Sequence, residues 1–245
     1  MKINIAPTKA STLAFFGFAL MAVASLSLNS CTSSSTNPAT TSTITATNDI
    51  QNETISGTKQ TSPTPASGPT VDAITITKVR VLMSDLHLHV SDDAAAGVGT
   101  FMTAPMVVTF TPGATNSLGS ATVPLGTYTQ MIFDLHTPNL TADAGLLAAN
   151  PDFVVGSPTI IIDGMMTKNG TQTAFTYKTS MVRNLKPVFT PSPLITIASG
   201  THSTNLRFDG KIAFAITSGK PLDPTDPTNK ADLDDQIAKA FLAQH

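Results

Sequence analysis

The sequence predicts an all-β fold: an antiparallel sandwich with a short helix near the C-terminal end. Three observations carry that expectation. Charged residues are 12% of the 245, Thr and Ser are abundant, and Trp is absent; weakly charged chains rich in β-branched residues favour sheets. Apolar residues recur with period two in several separate runs, with turn signals between them. Asn169-Gly170 divides two of those runs, and this dipeptide suits a two-residue type I′ hairpin turn, which needs positive φ at both positions.

The head of the chain reads as a targeting segment. Lys2 and Lys9 precede an apolar stretch from Leu13 to Leu28, and small residues lead to Cys31, the only cysteine. A charged start, an apolar centre and a small-residue cleavage site are the parts of a secretory signal. A lone cysteine at the cut looks like a bacterial lipoprotein signal over residues 1–30, with Cys31 as the acylated first residue. Two or more acyl chains hold a protein stably to a bilayer. Without the leader, twelve Lys and Arg face sixteen Asp and Glu, a net charge of −4. Nucleic acid is not the expected partner of such a chain. Beyond Cys31 no thiol remains for a disulfide, a zinc-thiolate site or a cysteine nucleophile.

Residues 31–70 read as a tether. About half of them are Ser or Thr, Pro38, Pro63, Pro65 and Pro69 are spread through them, and large apolar residues are few. Such a composition buries little surface to offset the entropy of ordering. The sandwich is expected over 71–218. In its first strand Val79, Val81 and Met83 are followed by Leu86, Leu88 and Val90, so the apolar parity flips near Ser84-Asp85, where a bulge is predicted. Met131, Phe133 and Leu135 form another alternating run, and Leu206 and Phe208 lead across Asp209-Gly210 to Ile212, Phe214 and Ile216 in a further strand. The Asn169-Gly170 hairpin sets Lys168 opposite Thr171, Ile162 opposite Tyr177 and Gly164 opposite Phe175. Val123-Pro124-Leu125-Gly126 has the residue order of a type I turn.

Two helices are expected. Thr141 caps Ala142–Ala149, with Leu146 and Leu147 inward. The segment 219–245 is turn-rich and ends in an amphipathic helix from Asp232 to His245, with Leu233, Ile237, Ala240 and Phe241 on one face and Asp234 and Asp235 in its first turn.

Few residues suggest chemistry. Asp85, His87 and His89 share one strand face at steps of about 6.6 Å. A His-Xaa-His pair can close on one metal ion, with His136 the nearest third ligand by type, although an exposed polar face accounts for the same pattern. Seven methionines lie beyond the leader; thioethers hold Cu(I), yet methionine more often fills cores. Asp223, Asp226, Asn229, Asp232, Asp234 and Asp235 are rich in oxygen ligands but lack the spacing of the common calcium loop. No nucleophile elbow, P-loop or dinucleotide fingerprint is present in the sequence. Glu53 is the only glutamate, so a catalytic carboxylate pair would need aspartates. The expectation is no enzyme, no metal and no cofactor.

Three segments resemble an uncharacterised family of bacterial lipoprotein domains: Ile76-Thr-Lys-Val-Arg-Val-Leu-Met-Ser-Asp-Leu-His-Leu, Val123-Pro-Leu-Gly-Thr-Tyr-Thr-Gln-Met-Ile-Phe, and Leu194-Ile-Thr-Ile-Ala-Ser-Gly followed by Asn205-Leu-Arg-Phe-Asp-Gly-Lys-Ile. The resemblance covers roughly residues 73–217 and implies a prealbumin-like, immunoglobulin-like or carbohydrate-binding-like sandwich in the cell envelope, with no activity attached. Similar domains often carry a Trp near the last strand, where this chain has Phe214.

Together these readings give an expected role: an outer-membrane lipoprotein, anchored through Cys31 and facing the periplasm or the cell exterior, of binding or structural type and without catalysis, with a glycan or another envelope component as the candidate partner. The alternative is a fimbrial-type subunit that assembles by strand addition at an open sheet edge.

Overall fold

The computed structural model describes residues 41–56, 70–90, 99–192, 195–214 and 220–245. Strands β1 (Thr41–Gln51) and β2 (Thr54–Ser56) come first, then the long β3 (Ala73–Val90), β4 (Gly99–Met102), β5 (Met106–Phe110), β6 (Asn116–Pro124) and β7 (Gly126–Leu135). An excursion with α1 (Ala144–Ala149) and a 3-10 turn at Pro151–Phe153 leads to β8 (Ile160–Lys168) and β9 (Thr171–Thr179). Short strands β10 (Asn184–Leu185), β11 (Phe189–Thr190) and β12 (Ile195–Ile197) precede β13 (Thr201–Asp209). The chain then forms α2 (Gly210–Phe214), α3 (Lys230–Lys239) and β14 (Phe241–Gln244).

The strands make two sheets. The smaller runs β11-β14-β13-β1-β6. In the larger, β10-β7-β3-β8-β9, the long β3 is shared in succession: β8 pairs with its first half and β7 with its second, while β2, β5 and β4 follow one another along its opposite edge. The parity flip predicted in β3 is present. Asp85 has φ 55°, and the pairing of β3 with β7 shifts register between Ser84 and His87.

The inner faces of the two sheets meet through phenylalanines. Phe241 and Phe208 of the smaller sheet lie 5.2 Å apart by ring centroid, Phe241 lies 5.4 Å from Phe133 of the larger, and Phe110 stands 6.0 Å from Phe241 and 6.3 Å from Phe208. Tilted and edge-on rings suit the aromatic quadrupole and add about 0.5–1.5 kcal/mol per pair beyond the area buried. A smaller apolar cluster of Leu82, Leu147, Phe153 and Ile161 packs under the β7–β8 excursion.

Part of the segment expected to be a tether is folded strand. Thr41–Gln51 is a central strand between β13 and β6. Ile44 and Ala46 are fully buried and Ile50 nearly so, while the intervening threonines and Asp49 point outward. Composition hid a clean period-two pattern, and threonine is a strong strand residue because its branched side chain suits a pleated surface. The leader, Cys31, residues up to 40 and residues 57–69 lie outside the described residues.

The sheets are also mixed rather than antiparallel throughout: β1 runs parallel to β13, and β11 to β14. The C-terminal region departs from expectation twice. Ile212 and Phe214 sit on α2, not on a strand, because Asp209 Oδ1 accepts the Lys211 and Ile212 N–H groups and starts a helical turn. The last helix stops at Lys239, and Phe241 and Ala243 continue inward as a strand with period two. Helix α3 begins at Lys230, so Asp234 and Asp235 fall in its second turn and form i,i+4 pairs with Lys230 and Lys239. Residues 220–245 of that segment are therefore part of the body of the fold, with Leu233, Ile237 and Ala240 fully buried.

The hairpin register matches the prediction at every pair named: Lys168 opposite Thr171, Ile162 opposite Tyr177, Gly164 opposite Phe175. Val123-Pro124-Leu125-Gly126 is a crossing between sheets, since β6 belongs to the smaller and β7 to the larger. Tyr128 braces that crossing by donating its hydroxyl to the Pro124 carbonyl at 2.8 Å. Helix α1 starts later than predicted, and Asn139, not Thr141, accepts the Thr141 and Ala142 N–H groups.

Candidate functional site

The outer face of the smaller sheet carries a registered array of uncharged polar groups. On β1 the outward residues include Thr43, Thr45 and Thr47. Thr43 stands between Thr201 of β13 and Thr122 of β6, Thr45 between Ser203 and Ser120, and Thr47 between Asn205 and Ser117. Sheet geometry sets these rows about 6.6–6.8 Å apart, with about 4.8 Å between strands. The Asp49–Arg207 pair closes the array at one end. Three stretches of sequence supply the three columns, so no single motif announces the face.

Two adjoining clefts, of about 140 and 290 Å³, border the face and share Ser203 and His245. The first also takes in Thr47, Asn205 and Gln244. Asn205 Oδ1 is out of reach of solvent and has no hydrogen-bond partner. The second brings His202 beside Thr196 and Thr201. The groups offered are hydroxyls, amides and imidazoles, able both to donate and to accept.

The histidines singled out in the sequence are not brought together as a ligand set. His87 and His89 alternate with buried Leu86 and Leu88, and the His87 ring contacts the Asp85 carbonyl through Nδ1 at 2.7 Å. His136 is tied through Nε2 to Asp143 at 2.8 Å. Asp143 also accepts the Asn139 N–H; burial pushes its carboxyl up, but these hydrogen bonds prevail and hold it below the usual carboxylate range. Among the described residues no three His, Cys, Asp or Glu side chains converge in a way that could hold a metal ion.

The acidic C-terminal residues have separate duties. Asp223, only 1% exposed, accepts from Lys168 at 2.8 Å and from the Thr225 N–H and hydroxyl. Asp226 accepts from Thr228 to start a 3-10 turn, Asp234 takes the Tyr177 hydroxyl and Lys230, and Asp235 pairs with Lys239. The methionines behave as filler: Met83 and Met131 are fully buried, and the Met131 sulfur accepts the Thr204 hydroxyl at 3.8 Å.

A third cleft, of about 230 Å³, lies between β5 and β6, with Asn48 among its lining residues. Asn48 fell within the segment read as tether, which concealed it at the level of sequence. No helix among the described residues is long and apolar enough to cross a membrane. No known protein family, no curated protein and no solved structure matches the chain, so the functional reading is built on its own residues.

Proposed function

We propose that this protein is a non-catalytic binding module of the cell envelope, anchored through an acylated Cys31, and that its ligand is a neutral, hydroxyl-rich envelope polymer such as a polysaccharide. The observation that carries the reading is the outer face of the smaller sheet. Thr43, Thr45, Thr47, Ser120, Thr122, Thr201 and Ser203 offer hydroxyls in fixed rows, with no charged side chain among them. Such groups exchange hydrogen bonds with sugar hydroxyls as readily as with water, and a rigid scaffold lowers the ordering cost of doing so along a chain.

In finer detail, we read the stacked sheets as a prealbumin- or immunoglobulin-like sandwich. The Tyr128 hydroxyl bonded to the carbonyl of Pro124, four residues upstream, resembles the tyrosine corner of such folds. Co-sedimentation of the purified protein with peptidoglycan sacculi and with lipopolysaccharide-derived polysaccharide tests the binding. Wild type is expected in the pellet and a Thr45→Lys/Ser203→Lys variant in the supernatant. Wild type left in the supernatant with every polymer defeats the reading. Mass spectrometry of the mature N-terminus tests the anchor, which an unmodified residue 31 rules out.

One observation favours the fimbrial alternative. Strand β9 pairs only with β8 among the described strands, leaving a nine-residue edge from Thr171 to Thr179 for a second chain to extend. Light scattering separates the two, since a strand-added polymer grows with concentration and a binding module does not. The amphipathic face of α3 is already buried within the chain and does not serve as the subunit contact.

A further inference from the structure

We propose that the cleft between β5 and β6 is a binding site for a single neutral, hydroxyl-bearing ring of monosaccharide size, separate from the Thr45 and Ser203 rows of the smaller sheet and meeting its outer face only at Ser117. Asn48 is the residue on which the site is built. It is fully buried on the inward side of β1, its Nδ2 donates to the Thr109 carbonyl at 2.8 Å, and its Oδ1 has no partner. A buried acceptor left unsatisfied costs about 1–3 kcal/mol, and the residue that carries it is among those lining an open cleft.

The walls of the cleft add complementary groups. On the β5 side, Leu82 of β3 spends its N–H on Thr159 and its C=O on His136, so Val107 opposite it turns its own N–H and C=O away from β3. On the β6 side, the register with β1 shifts after Ser117, leaving Leu118 unpaired in a bulge, and Ser117 Oγ accepts the Gly119 N–H at 3.3 Å. Bulges re-aim side chains and recur beside binding sites. Met106, Val108 and Leu118 supply apolar surface, and among the described residues no charged one lines the cleft.

Its shape selects the occupant. At one end Asn116 Nδ2 donates to the Thr109 carbonyl at 3.1 Å and closes the gap. At the other, β6 lies against β4, where a Cβ on Gly119 would stand 3.4 Å from the Phe101 carbonyl oxygen. A cleft closed at both ends has no room for an added strand. Its volume of about 230 Å³ is below the roughly 300–1,000 Å³ of drug-sized pockets, which fits one ring. A sugar ring matches the rest: a hydroxyl donates to Asn48 Oδ1, others meet the amide of Asn116 and the hydroxyl of Ser117, and the C–H face rests on Leu118 and Val108.

The proposal extends the carbohydrate reading to a second site, and its test separates the two. Equilibrium dialysis of the full chain in detergent is run against labelled glucose, galactose, mannose and N-acetylglucosamine. One saturable site for at least one sugar is expected, weakened about tenfold by Asn48→Leu, the equivalent of one hydrogen bond, and unchanged by Thr45→Lys/Ser203→Lys. Asn116→Ala, on the exposed rim, is the second variant should Asn48→Leu fail to fold, and is expected to weaken binding at least threefold. No saturable binding to any sugar, or undiminished binding in the Asn48 or Asn116 variant, overturns the proposal. Loss only in the Thr45/Ser203 variant places the sugar on the sheet face, which also overturns it while leaving the polymer-binding reading intact.

Discussion

Arg207 on β13 grips Asp49 on β1 with two parallel contacts, Nε to Oδ1 and Nη2 to Oδ2, each 2.7 Å, and its Nη1 donates to Gln51 at the same distance. Strands more than 150 residues apart in sequence are thereby pinned side by side in parallel register. Arg207→Lys keeps the charge but not the fork. Both partners are partly exposed, so a loss of about 1 kcal/mol is expected, read as a lower urea midpoint. Asp49→Asn should cost a similar amount, and a double variant less than the sum of the two.

Strand β1 gives the widest separation between alternative readings of this chain. Amide hydrogens of residues 43–50 should exchange as slowly as those of β13, whereas an unpaired tether would exchange within seconds. Ile44, fully buried between the sheets, should cost about 2–5 kcal/mol when replaced by Ala, measured by denaturant unfolding.

Gly164 faces the ring of Phe175 across the β8–β9 hairpin. A methyl there would lie 2.5 Å from the Thr75 carbonyl oxygen and 2.7 Å from the Phe175 ring. The carbonyl belongs to a paired strand and cannot easily retreat, so Gly164→Ala should destabilise by about 1–3 kcal/mol. Pairing it with Phe175→Leu should recover part of that loss; no recovery would make the backbone contact the whole cause.

Asp223 ties the C-terminal segment to the hairpin through Lys168. Burial opposes its ionisation, but the hydrogen bonds from Lys168 and Thr225 outweigh burial and lower its pKa from the ordinary 3.8. A carboxyl depressed in the folded state contributes stability above its unfolded value, lost as pH falls through the folded one. Asp223→Asn should therefore be destabilising at pH 7, and the gap from wild type should narrow as pH falls below about 4.

Both tyrosines of the chain are held protonated. Burial raises Tyr128, and burial with the Asp234 carboxylate raises Tyr177 further. A raised acid adds stability below its unfolded value, near pH 10, and loses it as pH rises. Absorbance at the tyrosinate band should stay flat through about pH 10 and then rise together with loss of the near-ultraviolet circular dichroism. A simple titration centred near pH 10 in the folded protein would contradict the buried hydroxyls.

Where local physics decided the structure, it was legible. The Asn-Gly turn needs positive φ twice and has it, with Asn169 at 51° and Gly170 at 75°, and the whole β8–β9 register follows. The flip at Ser84-Asp85 was visible because alternation is a local property. Strand β1 was misread because its serines and threonines were weighed by composition, although Ile44, Ala46 and Ile50 already alternated. Helix α2 escaped because Asp209 reads as a break within a strand, whereas it caps a helical turn and also receives Asn52 Nδ2 from far upstream. Phe241 satisfies both the helical period and the alternating one, and only its partners on β13 choose between them. The polar outer face and the Asn48 cleft are each assembled from distant strands, and parallel pairing of β1 with β13 leaves no local mark.

Because Thr41 already belongs to a central strand, only ten peptide steps separate it from Cys31. Even drawn out straight they reach at most about 36 Å, little more than the thickness of a bilayer core. On the proposal that Cys31 is acylated, the lipid would moor the sandwich close against the headgroups instead of floating it on a long stalk. The ligands such a protein could reach would then be molecules within arm's length of that leaflet, met by a body whose mooring rope is too short to let it search far.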